Sequence, residues 1–349
     1  MRIVDSHFHW YPRCIFEHLS KRKGYPRTVP DGKNGYDYLR QESGAHYVIN
    51  LWSTFFELEE ELVHMDTFGH EIDLVSSIGP VSVIFSEFEK EEGRDLALWW
   101  NEEQAKAQRK HAGRLWSSAA IPLVDTRTAI EVLDHSILKL GLMGANLPSS
   151  IGVNPRIDAE RLEPFYARVE ELGVPLFLHP TDAVFDKLLD GYEGALHRGL
   201  GRVIEVSLAG MRLVLSGIME RHRNLKIFMS HMGGALPYQS GRMDKNAGKR
   251  STGPDGVSIT ELPHPPSVYL KRMYTDTVQP HVEGMKWGIE YFGVDHVMYG
   301  SDYPCWKPAL ALEYFDKIGL SAEDQEKIMN ANARRFFNLR NQPALAAAE

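Results

Sequence analysis

Short apolar runs and amphipathic runs alternate about eight times along this chain, and that alternation constrains the fold more than any other feature. Ile3-Val4, Ile72–Ile78, Leu115–Ile121, Met143–Leu147, Val174–His179, Leu225–His231, part of Tyr269–Thr277, and His296–Gly300 read as strands. Residues 57–69, Arg94–His111, Thr126–Leu140, Ala159–Leu172, Val203–Arg221, Val282–Phe292 and Ala322–Leu339 carry apolar residues at helical spacing. Strands that are apolar nearly throughout, separated by helices, predict a parallel sheet covered on both faces. Eight such units predict a closed (β/α)8 (TIM) barrel. An open doubly wound sheet is the rival, but no Gly-x-Gly-x-x-Gly follows a strand, and Gly233-Gly234 alone does not make a phosphate loop.

A chain of 349 residues, 43% hydrophobic, fits one barrel domain over residues 1–349. Two stretches break the alternation. Residues 11–50, rich in tyrosine, basic residues and turn formers, read as an inserted irregular loop that forms a lid or wall. Residues 250–268, rich in Pro and Gly, read as a second loop near the site. A net charge of -8 argues against nucleic acid as a main partner. No apolar run is long enough to span a bilayer. The first strand begins at once, with no signal segment ahead of it, and two cysteines, Cys14 and Cys305, make no disulfide framework. The expected compartment is the cytoplasm.

Chemistry-bearing residues end these strands. His7 and His9 close the first, and two residues apart on a strand they point the same way. Pro175-Leu-Phe-Leu runs into His179, Ile227-Phe-Met-Ser into His231, and Val297-Met-Tyr-Gly-Ser into Asp302. Each alone reads as a polar rim residue, or, for Asp302 before Tyr303-Pro304, as a turn residue. In a barrel, however, all the C-terminal strand ends open on one face, where the active sites of this fold lie. Three histidines and one carboxylate suit Zn²⁺ or a similar divalent ion, and a catalytic ion keeps a position open. One histidine is then left over as an acid or base.

His7-x-His9, His179-Pro180, His231-Met-Gly-Gly-Ala-Leu-Pro-Tyr, Tyr274-Thr-Asp276-Thr and Tyr299-Gly-Ser-Asp302-Tyr-Pro, in that order, resemble the amidohydrolase superfamily. The resemblance is strongest to its branch of aminocarboxymuconate-semialdehyde decarboxylase and related aromatic acid decarboxylases. It implies a distorted (β/α)8 barrel with a mononuclear metal site at the C-terminal ends of the strands. It implies His7, His9, His179 and Asp302 as ligands of one divalent ion, Zn²⁺ first and Mn²⁺ as the alternative. His231 is then the catalytic acid/base, with Asp302 sharing in the catalytic set as well as in the ligand set.

The same parts serve either loss of CO₂ or attack by metal-activated water, so substrate-binding residues must decide. Arg242, in Ser240-Gly-Arg-Met, matches a family arginine that holds a substrate carboxylate, in relatives from the neighbouring subunit; this implies a homodimer or higher homo-oligomer. At the place of a second family arginine this chain has Trp52, which favours a flat aromatic or less charged substrate; Arg22 or Arg27 could substitute. Trp52, Phe55, Phe56, Tyr303 and Trp306 are pocket-wall candidates, with Trp52 and Tyr303 taken as substrate-binding. Asp276 is expected to orient a neighbouring histidine, and Cys305 stays outside the ligand set. The reading is a metal-dependent, non-oxidative decarboxylase of a small aromatic or unsaturated carboxylic acid. The alternative is a hydrolase of a lactone, ester, amide or C–C bond, and a non-catalytic binding protein has no use for both His231 and an open metal position.

Overall fold

Strand β1 (Arg2–Phe8) starts the chain, and three short strands follow: β2 (Arg27–Pro30), β3 (Tyr36–Leu39) and β4 (Ile49–Leu51). Then come β5 (Glu71–Ser76), β6 (Leu115–Ala119), β7 (Gly144–Pro148), β8 (Pro175–His179), β9 (Lys226–Met229), β10 (Tyr274–Asp276) and β11 (Val297–Met298). This computed structural model describes residues 2–40, 49–68, 71–185, 187–247 and 262–339.

Strands β1 and β5 to β11 pair in that order into one eight-stranded sheet, every pairing parallel. Backbone hydrogen bonds from Ser6 N–H to Tyr299 O (2.9 Å) and from Asp302 N–H to His7 O (2.8 Å) join the last strand to the first. The expected (β/α)8 barrel is therefore present. Inward side chains from six strands, Val4, Val75, Trp116, Phe177, Phe228 and Met298, form one buried layer. The C-terminal helix plugs that layer with Phe336 and Phe337, the latter ring stacked on Phe177 at 5.2 Å. One end of the barrel is thus filled by apolar packing, and the polar site occupies the other. In β1 the register against β5 shifts between Asp5 and Phe8, so Val4 and His7, three residues apart, both face inward.

The stretch 11–50 is not the irregular loop expected of it. Arg13–Leu19 is helical, and β2, β3 and β4 make a separate antiparallel sheet. Strands of three or four residues carry too little periodicity to read. Buried Tyr36, Tyr38, Ile49 and Leu51 nevertheless alternate with more exposed neighbours and pack with Phe16, Phe55 and Phe56. Three helices also depart from expectation. The helix placed at Val203 begins at His197 with a wider π-type turn, and Leu236–Asn246 and Pro308–Asp316 are helical where none was expected. The loop 250–268 lies outside the described residues up to residue 261, and its end is the start of the helix Pro266–Leu270.

Candidate metal centre and active site

The four strand-end residues His7, His9, His179 and Asp302 meet at the mouth of the barrel, each offering a ligand atom within 4.8 Å of the others'. All four are buried, none more than 2% exposed. Hydrogen bonds fix the three rings. His7 Nδ1 lies 2.7 Å from Asp276 Oδ2, His9 Nδ1 lies 3.1 Å from Ser77 O, and His179 Nδ1 lies 2.7 Å from Pro180 O. Each of those partners is an acceptor, so each Nδ1 carries the hydrogen. The three Nε2 atoms are then bare lone pairs. His7 Nε2 and His9 Nε2 lie 3.2 Å apart, Asp302 Oδ1 lies 2.9 Å from His9 Nε2 and 3.3 Å from His7 Nε2, and buried His179 Nε2 has no hydrogen-bond partner among the described residues. Acceptors this close, with no proton between them, need a cation. The donor set therefore fits a divalent ion on the structure's own terms.

Burial lowers the His7 pKa, but Asp302 and Asp276 outweigh it and raise it above its ordinary value, so this ring draws a cation, either a proton or a metal ion. Burial, with help from His231 and His7, holds His179 well below the usual imidazole range, so its ring is neutral. Burial works against the Asp302 charge, yet positive charge contributed by the imidazoles around it keeps the carboxyl well below its ordinary range, and a bound cation would do the same where the Nε2 atoms are bare.

His231 stands beside the four, its Nε2 3.6 Å from Asp302 Oδ2 and its ring centre 5.2 Å from that of His179. His231 and Asp302 both take left-handed backbone conformations, φ 57° and 58°. Such conformations are costly for non-glycine residues and gather at functional sites. Asp276 braces this corner: it meets the His7 ring and accepts the backbone N–H groups of His231 (3.0 Å), Met232 (2.9 Å) and Val278 (3.0 Å). Gly79, at φ 61°, passes so close to the His9 ring that a Cβ there would sit 2.5 Å from Cε1.

Two buried carboxylates outside the sequence-based set hold the frame. Asp5 accepts from Ser301 N–H (3.0 Å) and Ser301 Oγ (2.5 Å), tying β1 to the segment that carries Asp302. Glu205 accepts from the N–H groups of Thr181 (2.8 Å), Asp182 (3.1 Å) and Val184 (2.9 Å), clamping the turn after His179. Their partners lie 296 and 21 to 24 residues away, so no local motif marks them.

A cavity of about 980 Å³ opens over the cluster and reaches His231 and Asp302. Trp52, Phe55 and Trp306 supply aromatic wall, as the sequence suggested, and the Cys305 thiol, raised by burial and by the Asp302 charge, also lines it. Tyr303 does not line it; its ring stacks between Phe8 (6.1 Å) and His64 (5.8 Å). Phe56 lies behind the wall against Phe16. Arg242 is on an exposed face of the helix Leu236–Asn246 and outside this lining. Arg22 is engaged by Glu92 and the Phe88 ring, and Arg27 by the Tyr25 ring. The arginines that do line the cavity are Arg198 and Arg202, which the sequence reading passed over because it began their helix too late.

The family model described as Amidohydrolase matches residues 4–339. A 2-amino-3-carboxymuconate-6-semialdehyde decarboxylase of Dictyostelium discoideum is 26% identical over 341 residues, 96% of this chain and 91% of that protein. A gamma-resorcylate decarboxylase of Rhizobium sp. (strain MTP-10005) is 27% identical, over 92% of this chain and 97% of that protein. A crystal structure of a dihydroxybenzoic acid decarboxylase from Polaromonas sp. JS666, with bound manganese and the inhibitor 2-nitroresorcinol, superposes with a TM-score of 0.73 at 22% identity, covering 99% of each chain.

Proposed function

This chain belongs to the amidohydrolase family, and from that premise we propose that it is a metal-dependent carboxy-lyase removing CO₂ from a small aromatic carboxylic acid. The observation that carries the reading is the convergence of three bare Nε2 lone pairs and the Asp302 carboxylate, with His231 beside them, in an aromatic-walled cavity. The full-length similarity to decarboxylases of unsaturated and aromatic acids supports this reaction over hydrolysis.

His7, His9, His179 and Asp302 would hold the ion, a site of three nitrogens and one oxygen that suits Zn²⁺, with Mn²⁺ as the alternative. Bound there, the ion supplies Lewis acidity toward the substrate's oxygens. When the bond to the carboxylate breaks, its electron pair stays on the ring carbon, which must take up one proton. His231, partly buried and lining the cavity, with no hydrogen-bond partner on its buried Nδ1 among the described residues, is placed to hold and move that proton, and Asp302 orients it. Trp52, Phe55 and Trp306 bind the flat ring and exclude water.

The assembly we propose is a homodimer. Arg242 shares its helix with Tyr238, which is 76% exposed and contacts the 41% exposed Trp287 at 5.7 Å, and this aromatic surface beside a guanidinium suits a second copy. The compartment we propose is the cytoplasm, in keeping with two free cysteines.

The test is direct. Metal-loaded protein incubated with hydroxylated benzoic acids in ¹⁸O-labelled water should release CO₂ and leave no label in the ring product. Label taken up from the water by an aromatic ester, lactone or amide tested in parallel, with no CO₂ from any of the acids, would replace this reading with hydrolysis. Metal analysis of the purified protein identifies the ion, and light scattering gives the assembly.

A further inference from the structure

The helix that begins at His197 turns one stripe toward the cavity: Ala195 just ahead of it, then Arg198, Gly199, Arg202 and Val203. Positions three and four apart share a helix face, so the two arginines are neighbours on that stripe. Their situations differ. Arg202 is buried, and its guanidinium grips Asp182 with Nε 3.1 Å from Oδ1 and Nη2 2.8 Å from Oδ2. That charge is matched within the protein. Among the described residues Arg198 makes one hydrogen bond, from Nη2 to the Glu193 backbone oxygen at 2.8 Å, and pairs with no carboxylate. Glu193 also borders the cavity, and it meets Arg198 through its backbone oxygen, not as an ion pair. Beside Arg198 the wall is open: a Cβ on Gly199 would meet nothing within 4 Å.

A guanidinium carries five N–H donors in a planar fork that matches a carboxylate. Arg198 spends one of them on Glu193. It shares its cavity with His231, Asp302 and the aromatic walls. We infer that Arg198 is a specificity-determining residue that binds a second carboxylate on the substrate, so that the preferred class is aromatic dicarboxylic acids rather than simple benzoates. The inference rests on the reading of this cavity as the site for an aromatic acid.

Equilibrium binding tests it without turnover. Metal-loaded protein is titrated with benzoate, phthalate, isophthalate and terephthalate, followed by tryptophan fluorescence, since Trp52 and Trp306 line the cavity. One dicarboxylate should bind about 10- to 100-fold tighter than benzoate, the range of a charge-assisted bidentate contact. Arg198→Gln should bring that ratio to about one, and Arg198→Lys, which keeps the charge but loses the fork, should keep part of it. The inference is overturned if no dicarboxylate is preferred, if the preference survives in Arg198→Gln, or if Arg198→Lys behaves no differently from Arg198→Gln. CO₂ release is measured separately on the acid that binds best. Absence of CO₂ would count against the decarboxylase reading, while the affinity ratio alone judges Arg198.

Discussion

Asp276 Oδ2 lies 2.7 Å from His7 Nδ1, and both residues are buried. The carboxylate fixes the ring's tautomer, so that Nε2 faces the other ligand atoms without a hydrogen. The same carboxylate takes the N–H groups of His231 and Met232. One side chain therefore sets both a ligand ring and the proposed proton carrier. Asp276→Asn should lower metal affinity about 10- to 100-fold, the usual cost of losing such a partner. Metal retention during dialysis against graded chelator measures it.

His179 and His231 are neighbours in space with different expected losses. His179 contributes a buried Nε2 with no hydrogen-bond partner among the described residues, so His179→Ala should emerge from purification without metal. His231 is outside the four-atom cluster, so its variant should keep metal and lose turnover by about 10²- to 10⁴-fold, the span of general acid–base catalysis. Asn is the better replacement at 231, because the backbone there has φ 57° and Asn tolerates that region. Metal loss in His231→Asn would exchange the two roles.

The parts that read well from the sequence share a cause. His179 and Asp302 each follow a run of apolar residues, and the change from apolar to polar marks both the strand end and the open face of the barrel. Asp276 was legible instead from the motif Tyr274-Thr-Asp276-Thr, since Thr275 before it gives no apolar run. Glu205 and Asp5 were not, because their meaning lies in backbone N–H groups that only the fold brings to them. Arg198 was hidden differently: Gly199 and Gly201 weaken the helical signal around it, and the first turn is wider than α. Trp52 lines the cavity, but the small sheet beside it, β2 to β4, is built from strands too short to show a period.

Glu205 is buried and takes three backbone N–H groups as well as the Ser149 hydroxyl (2.9 Å). Glu205→Gln nearly keeps the shape but replaces an acceptor oxygen with a donor, leaving N–H groups of the 181–184 turn unmatched. The expected cost is about 2–3 kcal/mol of stability, the range for stranding buried donors. Because that turn follows His179, metal affinity should fall as well. Urea unfolding with and without added metal separates the two effects, since ligand binding adds stability only to the folded state.

The N-cap at Asp125 offers an acid-side prediction. Its carboxylate accepts the Thr128 N–H (2.9 Å) and hydroxyl (2.8 Å), and these bonds pull its pKa down to about 2. A lowered folded-state pKa means that the stabilisation is present above the ordinary Asp range and is lost as pH falls from about 4 toward about 2. Asp125→Ala should therefore cost about 1 kcal/mol at pH 7. The gap from wild type should close in unfolding measurements taken toward pH 2, where the wild-type carboxyl is itself becoming protonated.

Glu61 gives the opposite sign. It is 1% exposed in the helix Leu58–Asp66, and neither carboxylate oxygen has a hydrogen-bond partner among the described residues. Burial, with a smaller contribution from Glu57, raises its pKa well above the ordinary carboxylate value. The folded protein then holds a proton that the unfolded chain releases, so stability falls as pH rises past about 4.5, the ordinary Glu value, toward the raised one. Glu61→Gln keeps the size of the side chain and cannot ionise. It should exceed wild type by about 1–3 kcal/mol at pH 8. The difference should shrink toward zero at pH 4, where the wild-type carboxyl is largely neutral in both states. Urea midpoints for the two proteins across that range check it, and a gain that was larger in acid than in base would show that Glu61 is ionised and paired in the folded protein.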